Sequence, residues 1–252
     1  KMINFRFIPR LEIKSGNLIK GMRMEGLRKV GNPIEYANNY FVNGADEIII
    51  DDIVASLYSR PFDYSLIKEI SENIFIPITI SGGIKNIKDI HNALNSGADK
   101  VCINTNAILN PNFIYEASRI FGSQCIVVCI QGKNIFESTW EPCTESGRNR
   151  MHIDLFDWVK KVQDLGAGEI FFISIDNDGV DDGIEKDIIK KIKKICEVPL
   201  LIGGGISSLD DINYLINENI DGCVMSRALH FEKNDILSLK KTNLEIWKMF
   251  LL

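Results

Sequence analysis

The chain has 252 residues, 45% of them hydrophobic, with a mean hydropathy near zero, enough to bury a large core. Its net charge of −5, from 34 acidic and 29 basic residues spread along the chain, excludes the basic stripe of a nucleic-acid binder. No run of about 18 consecutive apolar residues offers a membrane span.

The amino-terminal KMINFRFIPRLEIK carries charge through its apolar stretch and lacks a small-residue cleavage site. It reads as a strand over 5–13 rather than a secretory signal, and the expected location is the cytoplasm. Seven further short apolar runs follow: 47–51, 76–80, 100–104, 125–130, 169–175, 198–202 and 222–226. Near-continuous apolar runs mark strands covered on both faces. Amphipathic segments separate them, among them 32–44, 86–97 and 152–166, several ending at a glycine placed as a C-terminal cap. Eight βα units around a parallel sheet predict a (β/α)₈ TIM barrel forming one domain over 1–252. Two connections exceed the usual few residues: 15–31 after the first run, and 132–150 after the fifth, which has room for a short hairpin.

A second order is superimposed on the first. Ser81-Gly82-Gly83-Ile84 recurs 122 residues later as Gly203-Gly204-Gly205-Ile206. The same shift carries Asp89-Ile90 onto Asp211-Ile212, Asp99 onto Asp221, and Gly44-Ala45-Asp46-Glu47 onto Gly166-Ala167-Gly168-Glu169. The barrel is expected to consist of two similar halves, about 1–122 and 123–252.

Each Gly-Gly-Ile turn follows a strand directly. Glycine lets the backbone approach an anion, whose oxygens accept from turn N–H groups. The next strand in each half ends in small or polar residues, Asn104-Thr105 and Ser226-Arg227, so each half is expected to carry a phosphate cradle at the barrel mouth. The two would suit a ligand with a phosphate at each end. The sixth run ends SIDNDG, which places Asp176, Asp178 and Gly179 at the same face, the last two beside the second cradle. His91, His152 and His230 are scattered, so no histidine-based zinc site and no cofactor are expected. The six cysteines contain no CxxC pair and read as buried thiols of a reducing compartment. The basic KKIKKIC segment has helical spacing and reads as a solvated helix face. Acid–base candidates are Glu12 ending the first run and Asp52 after the second, with Lys20 in the long first connection able to close over an anion. At the half-barrel position matching Glu12 stands Gln131, which transfers no proton at neutral pH.

The stretches LEIKSGNLIKG, GNPIEYA, GADEIIIDDIVAS, SGGIKNIKDI, GADKVCINTNAILNP, FGSQCIVVCI, GAGEIFFISIDNDG and LLIGGGISSLDD occur in this order. Over nearly its whole length the sequence resembles the cyclase subunit of imidazole glycerol phosphate synthase. The resemblance implies a glutaminase partner in a heterodimer, ammonia passing through the barrel, and a phosphorylated small-molecule substrate. It implies phosphate binding by Gly83, Asn104 and Thr105 at one site. At the other it implies Asp178, Gly179, Gly205, Ser226 and Arg227, with Arg227 in place of a small residue. Lys20 matches the lysine of a mobile first loop, and Arg6, Glu47, Lys100 and Glu169 match a charged ring gating the ammonia passage.

The family's reaction uses aspartates ending the first and fifth strands, where this chain has Glu12 and Gln131. Val180 and Ile173 also stand where hydroxylated residues are usual. A methylene added to a positioned carboxylate shifts it by about 1 Å. Losing an acid or base costs about 10²- to 10⁴-fold in rate. The changed pair favours an ammonia-dependent paralogue, such as those thought to amidinate surface-sugar precursors, over the histidine-pathway cyclisation itself. The alternative is a non-catalytic ammonia conduit that activates the glutaminase. A barrel isomerase of the same pathway is a weaker third reading, since it normally keeps acidic residues at both strand ends and needs no gate.

Overall fold

The computed structural model describes residues 5–58, 60–136, 139–180, 182–231 and 235–241, so the expected spans 1–122 and 123–252 extend past it at both ends. In chain order, β1 (Arg6–Lys14) leads into an antiparallel pair, β2 (Asn17–Met22) and β3 (Glu25–Gly31). There follow α1 (Pro33–Val42), β4 (Ile48–Asp52), α2 (Tyr64–Ser71), β5 (Ile78–Ser81), α3 (Ile87–Asn95), β6 (Lys100–Ile103), α4 (Thr105–Leu109) and α5 (Asn112–Phe121). The second half runs β7 (Ile126–Phe136), β8 (Thr139–Thr144), β9 (Asn149–Arg150), α6 (Leu155–Asp164), β10 (Glu169–Ser174), α7 (Lys186–Ile195), β11 (Leu200–Gly203), α8 (Leu209–Asn217), β12 (Gly222–Met225) and α9 (Arg227–His230).

Strands β1, β4, β5, β6, β7, β10, β11 and β12 pair in parallel, and β12 returns to β1 to close a TIM barrel. Closure follows from the pattern seen in the sequence. On β1, alternation sends Phe7, Leu11 and Ile13 outward into the layer shared with the helices, and Arg6, Ile8, Arg10 and Glu12 inward. A smaller apolar cluster, including Ile8, Ile49, Cys102, Val127, Cys129, Phe171 and Leu201, fills the interior. Each such buried aliphatic side chain contributes about 1.5–3 kcal/mol relative to exposure. The basic segment lies on α7, with Ile188, Ile189 and Ile192 buried and Lys190, Lys191 and Lys194 exposed. All six cysteines are free thiols. No helix among the described residues is long and apolar enough to cross a membrane.

Strand β5, helix α3 and strand β6 recur as β11, α8 and β12 at a spacing of 122 residues. Their fastenings recur too. Asn86 with Asp89, and Ser208 with Asp211, form matching capping boxes. Asp99 accepts from the Ile78 N–H at 2.8 Å and Asp221 from the Leu200 N–H at 2.9 Å.

Both long connections fold as strands. The segment 15–31, expected as a long connection, is the β2–β3 hairpin, with Leu18 and Ile19 buried. The segment 132–150 continues β7 and returns as β8 to pair with it; residues 137 and 138 lie outside the described set.

Candidate functional site

At the amino-terminal end of the barrel, four expected residues meet. Glu47 takes Arg6 Nη1 at 3.0 Å and Lys100 Nζ at 2.8 Å on its Oε2, while Thr79 Oγ1 donates to its Oε1 at 2.6 Å. Lys100 Nζ also reaches Glu169 Oε2 at 2.9 Å, and Arg6 closes the circuit onto Glu169. The ring is neutral overall. Burial opposes the charge on Arg6 and Lys100, yet the two glutamates more than offset it and raise both pKa values.

The carboxyl-terminal end holds a second ionic cluster, and its centre is a residue that sequence reasoning passed over. Arg10, 2% exposed, donates through Nε and Nη2 to Asp51 Oδ2 at 3.0 and 2.6 Å. Its Nη1 lies 3.0 Å from Glu12 Oε1 without making a hydrogen bond, and 4.0 Å from Asp178 Oδ1. Burial opposes its charge, but Glu12, Asp51 and Asp178 raise its pKa overall. The spacing Arg10-x-Glu12 was the available signal, because residues two apart on a strand share a face. The Phe171 ring lies beneath this guanidinium, its centroid 6.0 Å from Cζ.

Lys20 is buried on β2, within the hairpin that forms the long first connection, and its Nζ contacts Glu12 Oε2 at 2.8 Å and Asp178 Oδ2 at 3.1 Å. The reason is local: the hairpin docks at its turn, where Arg23 N donates to Asp178 O at 2.6 Å and Arg23 Nε to Asp176 O at 3.1 Å. Glu12, an acid–base candidate in the sequence, is enclosed between two cations and lines neither of the two cavities described below. Asp52 is held by Arg60 Nη2 at 2.7 Å; its own burial raises its pKa, with Arg60 opposing that.

Two cavities open at this face. The first lies among Asp51, Asp52, Gly83, Asn104, Thr105 and Gln131. Gly83 is at φ 73°, and a Cβ there would press on Ala55. Asn104 spends its amide on Cys129 O and Cys143 O, both at 3.1 Å, which binds β6 to the β7–β8 hairpin. The β8–β9 turn lies against this cavity and is fastened three times. Glu145 N donates to Thr105 Oγ1 at 3.2 Å, Ser146 Oγ to Ile53 O at 2.8 Å, and Gly147 N to Gln131 Oε1 at 3.0 Å. Three consecutive positive φ angles, 53°, 58° and 81°, carry that turn. Gln131 is therefore an acceptor that holds backbone.

The second cavity brings together Asp178, Gly179, Gly205, Ser226 and Arg227, all five expected residues, and adds Arg10. Gly204 and Gly205 sit at φ 86° and 87°, and a Cβ on Gly205 would collide with the Gly183 carbonyl. Such backbone is open to glycine and strained for other residues. Among the described residues, no group of three or more His, Cys, Asp or Glu side chains is arranged to hold a metal ion.

The sequence matches that of known proteins. Residues 6–235 match the family model described as "Histidine biosynthesis protein". The chain is 45% identical to imidazole glycerol phosphate synthase subunit HisF of Legionella pneumophila, over 84% of this chain and 100% of that protein. It is 39% identical to the subunit of the same name from Methanococcus vannielii, over 95% of this chain and 96% of the relative. With that of Wolinella succinogenes it shares 38%, over 94% and 93%. The chain therefore belongs to the histidine biosynthesis protein family, among the HisF-type cyclase subunits of imidazole glycerol phosphate synthase.

Proposed function

We propose that this chain is an ammonia-using synthase subunit that works with a glutaminase partner in the cytoplasm on a phosphorylated small molecule, and that its barrel is one domain of two half-barrels, about 1–122 and 123–252. The observation that carries this reading is the pairing, on one barrel, of a neutral charged ring at the amino end with an ionic centre between two glycine-lined cavities at the other. The relatives' name says "subunit", which supports a second chain. In this reading Arg6, Glu47, Lys100 and Glu169 gate ammonia, which crosses the interior to the mouth. Gly83, Asn104 and Thr105 hold one end of the ligand. Asp178, Gly179, Gly205, Ser226 and Arg227 hold its phosphorylated other end.

Glu12, Lys20 and Gln131 occupy the reacting centre with their roles changed. Glu12 is paired with Arg10 and Lys20, and Gln131 fastens a turn, so neither supplies the acid–base pair of a ring closure. Ammonia-dependent amidination of a sugar precursor, whose addition step uses ammonia itself as the nucleophile, fits this centre better than the histidine-pathway cyclisation. The test supplies the purified chain with ammonium salt and the histidine-pathway substrate. Negligible turnover is expected, and turnover at the family's usual rate would sink the paralogue reading.

The commitment of Glu12 to two cations also favours a second reading, a non-catalytic conduit that activates the glutaminase. Under it, Glu12→Gln leaves pathway output unchanged, whereas disrupting Lys100–Glu169 disturbs coupling.

A further inference from the structure

Alternation on β6 and β7 turns Cys102 and Cys129 into the barrel interior, where both belong to the apolar cluster that fills it. Strand pairing sets Cys102 opposite Val127, so Cys129 stands two residues further along the neighbouring strand, on the same face. The Cys102 thiol is hydrogen-bonded to that of Cys129, and this contact, with burial, pushes its pKa well above the usual thiol value. Cys102 also lines the first cavity, which gives the pair a way in from the mouth. Neither thiol has a part in the proposed function.

The diagonal placement suits a bridging ion better than a disulfide. Strands lie about 4.8 Å apart and rise about 3.3 Å per residue, so Cα atoms offset by two residues on neighbouring strands are about 8 Å apart. A disulfide needs them within about 7 Å. With metal–sulfur bonds of about 2.3 Å, a linear sulfur–metal–sulfur unit instead sets its sulfurs about 4–5 Å apart. Among the described residues no group of three or more His, Cys, Asp or Glu side chains could hold an ion, which leaves a cation satisfied by two ligands. Thiolates select soft cations. Charge narrows the choice further, because the surrounding cluster is apolar and a buried net charge is costly. Two thiolates on a divalent ion form a neutral unit, whereas a monovalent ion leaves one negative charge.

We propose that Cys102 and Cys129 form a two-coordinate site inside the barrel for one soft divalent cation of the mercury(II) kind. Each thiol releases its proton to solvent as its sulfur–metal bond forms, and no electron is transferred. The ion enters through the first cavity and stands in the interior, on the route proposed for ammonia. The pair thereby makes the subunit a target for thiophilic metals.

The test loads the reduced full chain with mercury(II) chloride, washes it with excess glutathione and weighs it by native mass spectrometry. A single retained ion is expected, because two thiols fixed on one scaffold outcompete two free ones. Cys102→Ser and Cys129→Ser should each lower retention by about 100-fold, as the chelate is lost, whereas Cys143→Ser and Cys223→Ser keep it. Silver(I), whose complex is charged, should be retained less than mercury(II). The Cβ resonances of the unaltered chain locate the ion without any variant: those of Cys102 and Cys129 shift together, and those of Cys125 and Cys196 stay in place. Binding to the native pair also raises the melting temperature, whereas capture by unfolded thiols lowers it. Retention unchanged in either serine variant, a shift at Cys125 or Cys196 instead of the pair, a lowered melting temperature, or silver held as tightly as mercury overturns the proposal. None of these measurements needs ammonia, a glutaminase or turnover, so their failure leaves the synthase reading untouched.

Discussion

Lys20 Nζ stands 2.8 Å from Glu12 Oε2, and both side chains are almost wholly buried. Asp178 shares the same ammonium at 3.1 Å, and Arg10 approaches the other side of Glu12. Removing one member of a buried ion pair strands its partner's charge, at a cost of about 3–5 kcal/mol. Lys20→Met is therefore expected to lower stability by that order, read from urea denaturation midpoints. In Glu12→Gln/Lys20→Met one stranded carboxylate is gone, so the double variant loses less than the sum of the singles. Strict additivity would show that the two groups are not coupled.

Gln131 is expected to act through Gly147 and not through a proton. Its Oε1 accepts from the Gly147 N–H at 3.0 Å. Gln131→Leu removes the acceptor, and a net hydrogen bond is worth about 1 kcal/mol. The Gly147 amide should then exchange with solvent about fivefold faster, as read by amide hydrogen exchange. Gln131→Glu keeps an acceptor oxygen and should keep the protection. If Leu and Glu behave alike, the latch is not what holds the turn.

Much of this was legible in the sequence because strand alternation and glycine placement are local properties. Eight apolar runs gave eight barrel strands, and the Gly82-Gly83 and Gly204-Gly205 pairs do adopt positive φ beside the cavities. The four ring residues also meet as expected. What stayed hidden depends on long-range placement. Arg10 lies in an apolar run, and its value comes from Asp51 and Asp178, 41 and more residues away, brought to it only by barrel closure. The hairpin that carries Lys20 was not legible because a 17-residue connection has no alternation strong enough to declare it, and its fastening is the Arg23 contact with Asp178. The Gln131 role needed the turn at 145–147, whose conformation runs against ordinary preference at Glu145 and Ser146.

The ring at the amino end predicts a separation of two activities. Lys100 pairs with both Glu47 and Glu169, so Lys100→Met leaves two carboxylates facing Arg6 alone and opens the circuit. If the ring gates ammonia, glutamine-supported turnover with the partner should fall, by roughly tenfold for a change of about 1.4 kcal/mol in barrier. Turnover supported by added ammonium salt should hardly change, because the mouth is untouched. Equal loss of both activities would make the ring a structural plug.

His230, buried at the end of α9, makes the fold's stability depend on pH. Its Nε2 lies 3.1 Å from Arg10 O and its Nδ1 2.6 Å from Tyr40 Oη. A carbonyl only accepts, so Nε2 carries the proton, and a neutral ring then takes the tyrosine O–H on Nδ1. Burial, with the nearby charge of Lys20 and also that of Arg10, pushes the pKa down to about 3, although the Arg10 carbonyl opposes this. The unfolded imidazole titrates near 6.5. Above that value both states are neutral and the contribution to stability is complete. As pH falls from about 6.5 toward 3, only the unfolded chain takes the proton, and the fold loses up to about 1.36 kcal/mol per pH unit from this group. His230→Gln should flatten the stability profile by nearly one proton in that window, measured by denaturation at a series of pH values. A His230 ring resonance that titrates near 6.5 in the folded chain would refute the assignment, because the fold would then pass through that range with the proton bound equally in both states.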